Sequence, residues 1–418
     1  MKKFFLTMGL TLLFGAANAQ NSAIYKAQTA EQKGETAEAI SILEAALSNP
    51  KTTKFAEIYH MVAEDHAKLF NNELTKAAQG LPFDTVAFTN HLDKMIDSYT
   101  KSHEADIKPD EKGRVKSKFV MANRFRMLSM LDYYNYAAMF KFQQHDTLQA
   151  ISYFQKYLDL PNNPIFSKAE TDSILNVKKA AYMQTSSNLA TLTFSMKQWD
   201  TAIKYADATL KDTINTRDMY IIKMQSYLAK NDSTDWLNTL VDAVKRTEDD
   251  GFMQNLLYYY VNHNDLKAAE GMANDLITSA PNQKGPWYMK GCVELNMKKD
   301  YAAARECFAK ALEIDPNYAD ANANMAYTYV NEAVADRMAG KFRFIGTGKR
   351  ILPAQEAAYK KELATVQGYY KNAMPYMEKV RELVPDRPRV WAYTLQMIYE
   401  NLQMKDKKAE IDNIIKGL

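Results

Sequence analysis

The chain has 418 residues, 47% of them apolar and 25% charged, with 53 basic against 50 acidic side chains. An apolar fraction at the globular average excludes a disordered chain, and 14 glycines with 12 prolines, about half the ordinary combined usage, exclude collagen-like and low-complexity arrays and favour helices. The near-neutral balance, without a long Lys/Arg run, excludes the polyelectrolyte footprint of a nucleic-acid binder.

Residues 1–19 open with Lys2 and Lys3, run through an apolar stretch from Phe4 to Phe14, and end on Ala17-Asn18-Ala19. This is the layout of a signal peptide with a small-x-small cleavage site. The stretch is shorter than the ~20 apolar residues that span a bilayer, and no later segment reaches that length without charge. The two cysteines, Cys292 and Cys307, lie far from the cleavage point, so no lipid attachment is expected there. The expectation is a mature chain starting near Gln20, periplasmic or secreted, with no transmembrane segment and a formal charge lowered from +3 to +1. The ANAQ ending looks like Gram-negative, Bacteroidota-like export.

Residues 20–161 read as an N-terminal run of helical hairpins. Ala39, Leu43 and Ala46 form a helical stripe closed by Pro50, and Ala150, Phe154 and Pro161 repeat the pattern. Between them, helical stretches at 53–79 and 83–106 make an atypical long hairpin, 53–106. Residues 162–175 read as a connecting loop. Hairpins then fill 176–316. The first places Leu189, Ala190, Trp199, Ala202 and Leu210 on the stripe, and a degenerate unit over 217–245 carries Trp236. Residues 255–281 and 287–316 are each two amphipathic helices around an Asn/Lys-Asp turn. Ala269 and Ala304 stand 35 apart, as do Pro281 and Pro316. Over 317–387 a first helix from Ala319 is followed by an insertion, and the second helix resumes with Ala373, Met377, Val380 and Pro385. Residues 354–367 are helical by composition, which extends that second helix and leaves 340–353 as a loop. Residues 388–418 read as capping helices.

Trp287, Gly291, Ala304, Phe308, Ala311 and Pro316, with one extra residue in the Lys298-Lys299-Asp300 turn, resemble the signature of the tetratricopeptide repeat, whose period is about 34. The resemblance extends over about two-thirds of the chain and is weakest over 51–118. It implies an all-α fold, an α-solenoid of antiparallel helical hairpins with one or two of them overlong. It also implies a concave groove, lined by the first helix of each hairpin, of the kind this family uses to hold peptides or helices of other proteins. By matching positions the groove presents Thr191, Gln225, Tyr258, Tyr288 and Tyr327, and is aromatic and weakly charged. The Lys/Asn pairs with which some members grip a C-terminal carboxylate are replaced by Ser187 and Thr191, Gln254 and Tyr258, and Ala323 and Tyr327. Asn188, Asn255 and Asn324 recur at one repeat position. An amide offers donor and acceptor together, so these side chains either read the backbone of an extended peptide or bond within the stack.

Little points to chemistry. His60 and Glu64 are one helical turn apart, but His66 lies off that face and no HExxH is present, so solvated surface is the expected reading rather than a metal site. Gly346-Thr347-Gly348-Lys349 lacks the leading glycine, the following Ser/Thr and the preceding strand of a phosphate loop. No enzyme, cofactor or metal is expected, and Cys292 and Cys307 are expected to stay unbonded. In the loop 340–353, Lys341, Phe342, Arg343, Phe344, Lys349 and Arg350 interleave aromatic and basic side chains without an acid. They form either a docking tip for an acidic protein or anionic envelope component, or a segment folded back onto the neighbouring repeat. The favoured function is a non-enzymatic periplasmic scaffold or adaptor that binds a peptide or helical segment of another envelope protein. The alternative, resting on 26 tyrosines and a resemblance to starch-utilisation outer-membrane lectins, is a glycan-binding or nutrient-uptake-associated helical protein.

Overall fold

The computed structural model describes residues 20–211, 216–247, 249–345 and 351–418. The cleavage site and residues 1–19 therefore lie outside the described residues. Among the described residues there is no strand. Helices α1 (20–32) and α2 (Thr36–Leu47) form a first hairpin, its interior filled by Ile24, Ala27, Ala30, Ala39 and Leu43 against Ile58 and Val62 of the next helix. Small residues at the contact let the two helices lie close, and the larger side chains fill the gap to the following pair. No described helix is long and apolar enough to cross a membrane.

The chain divides into two compact units, Met1–Asn231 and Asp232–Leu418. The division falls within the stretch 176–316 that the sequence reads as one run, at the hairpin already marked as degenerate.

In the first unit the long hairpin is α3 (Phe55–Ala78) and α4 (Thr85–Asp106), packed side by side along their length. Its core is aromatic, with Phe70 and Phe88 at 4.7 Å between ring centroids and Phe140 at 5.4 Å from Phe88. Helix α5 (Val120–Ser129) follows. Its entry is fixed by the buried Asp106 carboxylate, which accepts the backbone N–H groups of Lys118, Phe119 and Val120 at 2.6–3.0 Å. Then come α6 (Tyr133–Gln143) with α7 (Thr147–Asp159), α8 (Lys168–Val177), α9 (Lys179–Ser195) with α10 (Trp199–Thr209), and α11 (Thr216–Ala229). Helix α8 corrects the expectation of a loop over 162–175. The signal was a capping box, in which Ser167 and Glu170 satisfy each other's backbone N–H groups and start a helix at Lys168.

The second unit runs through α12 (Ser233–Arg246), α13 (Asp250–Asn262) with α14 (Leu266–Ser279), α15 (Lys284–Val293) with α16 (Tyr301–Ile314), α17 (Ala319–Met338) with α18 (Glu356–Leu383), and α19 (Pro388–Asn401) with α20 (Lys405–Lys416). Helix α18 has 28 residues and carries Pro375 inside it, so the inserted segment and the repeat's second helix are one continuous element, as expected.

The hairpin turns share one design. Gly34, His145, Lys197, Asn264 and Gln403 all have positive φ, and the next residue's N–H returns to the carbonyl five residues back at 2.9–3.0 Å. Asp146 and Asp265 then cap the following helix with their carboxylates. At Lys299 the same closing bond, from Asp300, reaches back six residues to Glu294, because residues Glu294–Lys298 form a π-helical turn. That wide turn houses the one extra residue seen in the sequence. Downstream packing is undisturbed, with Ala304, Phe308 and Ala311 buried. Gly291 is required here, since a Cβ at this position would lie 2.5 Å from the Phe308 ring.

Candidate binding surface

In the first unit, α6, α7 and α9 form an open surface pocket of about 290 Å³ lined by Met139, Phe142, Phe154, Asn188, Thr191 and Leu192. Two of the side chains expected in the groove, Asn188 and Thr191, are thereby brought together. Thr191 donates its hydroxyl to the Ser187 carbonyl at 3.1 Å, and the Asn188 side-chain carbonyl accepts from Gln184 Nε2 at 3.1 Å. Met139 and Phe142 remain 42% and 46% exposed. Gln225 is exposed on α11.

Sequence reasoning missed Met139 and Phe142. Only the second helix of their hairpin, over 145–161, had been matched to the repeat. The first, α6, is apolar on nearly every side, so its face has no periodicity to read. The usable signal was the small pair Ala137-Ala138, both buried, ahead of the His145-Asp146 turn.

In the second unit the expected residues separate into two groups. Asn255 and Tyr258 face solvent, and Tyr258 is 70% exposed. Tyr288, Asn324 and Tyr327 are instead committed to the stack, which corrects their assignment as free groove positions. The Tyr288 ring lies 5.0 Å from Tyr318 and 5.9 Å from Phe308, and its hydroxyl accepts from Asn324 Nδ2 at 3.1 Å. Asn324 Nδ2 is also 3.3 Å from Cys292 Sγ, and Tyr327 donates to the Val390 carbonyl at 3.1 Å. Of the two uses open to the recurring asparagines, Asn324 thus takes the internal one. Burial pushes the Tyr288 hydroxyl above its ordinary range and the Cys292 thiol up to about 12. Both cysteines are buried free thiols.

The start of α13 carries the charge of this surface. Asp250 is raised above the usual carboxylate range by desolvation, although Tyr318 donates to it at 3.0 Å. Lys284 sits between Asp315, at 2.8 Å, and the Tyr318 ring, at 4.4 Å. Gln254 donates to Asp320 at 2.9 Å. These polar groups compensate one another, so the exposed aromatic surface beside them stays weakly charged.

The loop at 340–345 folds back. Phe342 and Ile345 pack against the core formed by α17, α18 and α19, and the Glu362 carboxylate accepts the N–H groups of Arg343 and Phe344 at 3.0 and 2.8 Å. Lys341 pairs with Asp336 at 2.7 Å, and Arg343 is exposed. Lys349 and Arg350 lie outside the described residues. His60, Glu64 and His66 point to different partners. His60 meets Asn123 at 2.7 Å, Glu64 pairs with Arg126 at 2.8 Å, and His66 meets His91 at 3.0 Å.

A family model described as a tetratricopeptide repeat matches residues 286–318, the span of α15, the π turn and α16. The chain is similar to a solved repeat protein of Bacteroides fragilis, at 16% identity and a TM-score of 0.32, covering 66% of this chain and 98% of that one. It is also similar to the C-terminal part of a tetratricopeptide-repeat protein of Cytophaga hutchinsonii, at 17% identity and TM-score 0.35, covering 66% and 92%. A tetratricopeptide-repeat protein of Parabacteroides merdae gives 15% identity and TM-score 0.24, covering 74% and 99%. No curated protein matches the sequence.

Proposed function

We infer that the chain is an exported, non-enzymatic scaffold whose first-helix surfaces hold a peptide or helical segment of another envelope protein. The observation that carries this reading is Tyr258, an aromatic ring left 70% exposed on the first helix of a repeat, beside the exposed Asn255. An aromatic body with a polar tip gives large contact area at small entropic cost, which is why such residues anchor protein interfaces. The first unit adds an uncharged surface of Met139, Phe142, Asn188 and Thr191. Export to the envelope is supported by the signal-like pattern of residues 1–19.

The test uses a photo-crosslinking amino acid at Tyr258 and, separately, at Glu313, which is exposed on a second helix. In cells, Tyr258 is expected to give a discrete crosslinked product that Glu313 does not, and N-terminal sequencing of the protein is expected to start at Gln20. Equal labelling from both positions, or none from Tyr258, overturns the scaffold reading. Intact Met1 overturns export.

A further inference from the structure

One edge of the first unit concentrates positive charge. The N-terminal end of α3, the C-terminal end of α4 and the connection 107–118 that leads to α5 surround an open cleft of about 680 Å³. Lys54, Lys101, Lys108, Lys116 and Lys118 line it, against Glu57, Glu104 and Asp106. Two of those acids are occupied. Asp106 is spent on the backbone N–H groups of residues 118–120, and Glu57 is shared by Lys54 at 3.3 Å and Lys118 at 3.9 Å. Lys101 pairs with Asp97 at 2.8 Å. Among the described residues Lys108 and Lys116 have no ion pair, and Glu104 is the one wall acid left to offset them. The connection is exposed throughout and adds Lys112 and Arg114 against Asp110 and Glu111, with Arg114 on Asp110 at 3.0 Å. A nearly neutral chain thus carries a local cationic surplus here.

The exposed apolar side chains of this edge decide what kind of anion fits. Phe55 is 37% exposed, Ile107 45% and Val115 52%. Each is the chain neighbour of a cation, since Phe55 follows Lys54, Ile107 precedes Lys108, and Val115 stands between Arg114 and Lys116. A dissolved polyanion would engage the ammonium groups and leave these three side chains in water. A bilayer surface with anionic lipids takes both, because the cations meet headgroup phosphates while the apolar tips enter the boundary beneath them. Gln20 points the same way. Its side-chain carbonyl accepts from the Thr53 hydroxyl at 3.2 Å and the Lys54 N–H at 3.3 Å, both residues of the cleft wall. The apolar stretch of the expected export signal ends at Phe14, six residues before Gln20, a span of about 20 Å at full extension. In an exported precursor this edge is therefore tethered close to the membrane.

We propose that this edge docks the chain reversibly on an anionic lipid bilayer, with Lys108 and Lys116 against headgroup phosphates and Phe55, Ile107 and Val115 at the interface. The proposal rests on the export reading to bring the chain to a membrane, while the docking itself is a property of the folded surface.

The experiment co-sediments the mature chain, beginning at Gln20, with vesicles of phosphatidylcholine alone and of phosphatidylcholine mixed with phosphatidylglycerol. The mixed vesicles are expected to bind about tenfold tighter or more, and the advantage should shrink as salt is raised from about 50 to about 200 mM. Lys108→Gln with Lys116→Gln is expected to cost roughly twentyfold, at about fivefold for each charge held near the surface. Ile107→Ser with Val115→Ser is expected to weaken mixed-vesicle binding about fivefold while leaving the binding of inorganic polyphosphate unchanged. Lys33→Gln with Lys371→Gln removes the same charge from exposed positions elsewhere and should change binding by no more than about twofold. All the substituted residues are exposed, and circular dichroism verifies folding. Equal binding to both vesicles, no binding to either, or a loss in the Lys33 and Lys371 variant as large as in the Lys108 and Lys116 variant overturns docking. A serine variant that binds mixed vesicles as tightly as the wild type assigns the edge to a soluble polyanion and overturns it too. Export is read separately by the N-terminal sequence from cells and the scaffold function by crosslinking at Tyr258, so failure on vesicles removes the docking alone.

Discussion

Acidification should loosen the long hairpin before it affects most of the molecule, and His66 sets the scale. This imidazole is 6% exposed, its Nδ1 is 3.0 Å from the Nδ1 of His91, and its Nε2 is buried without a partner. Desolvation, reinforced by His91 and Lys94, lowers its pKa from 6.5 to about 4. The folded state therefore keeps it neutral where the unfolded chain has already taken up a proton. The stability it supports is fully present above pH 6.5, falls as the pH drops, and stops falling near pH 4. Linkage over that window is worth about 3 kcal/mol in full and about 2 kcal/mol by pH 5. Hydrogen exchange in α3 and α4, corrected for the intrinsic rate at each pH, should then show these amides about 30-fold less protected at pH 5 than at pH 7. In His66→Gln, which has no titrating ring, most of that loss should vanish, leaving what His91 and His103 contribute, both also lowered by burial. An equal loss in wild type and variant would refute the argument. Carboxylates held low, such as Glu73 and Asp84, act only at lower pH and do not confuse the result.

Three further outcomes follow from the packing and the turns. Gly291→Ala forces a Cβ to 2.5 Å from Phe308 and should cost about 1–3 kcal/mol in thermal melting, whereas Gly271→Ala, on α14 with nothing within 4 Å, should raise stability by roughly 0.5–1 kcal/mol. Lys299→Gly relieves a left-handed backbone at φ 58° and should stabilise by about 1 kcal/mol; a lower melting temperature would contradict the strain. Cys292 and Cys307, pushed up by burial to about 12 and 11, should ignore a thiol reagent at pH 8 until denaturant is added.

Much of the fold was legible because the hairpins are periodic and their turns are punctuated. The long pair at 53–79 and 83–106 appears as α3 and α4 within a few residues, and the extended second helix appears as α18. What was not legible followed from the same reliance on period. Helix α6 buries Tyr134, Ala137, Ala138 and Lys141 but has apolar residues on its other sides too, so no stripe marks its outward face. Helix α8 was hidden by the prolines ahead of it, although its capping box was present. The candidate surface was half legible for a further reason. Repeat position places a residue on a helix face but says nothing about its neighbour, and Tyr288 and Asn324 were taken up by one another and by Cys292.

The turn design bears on how the chain gets to its structure. Each closing bond joins residues only five or six apart, and the packing partners of a helix are mostly the elements immediately before and after it. Contact order is correspondingly low, so little loop entropy has to be surrendered before the first contacts reward it, and nucleation can begin at any hairpin. Under tension, the same locality should make the polypeptide give way one hairpin at a time, as a succession of small extensions instead of a single rupture.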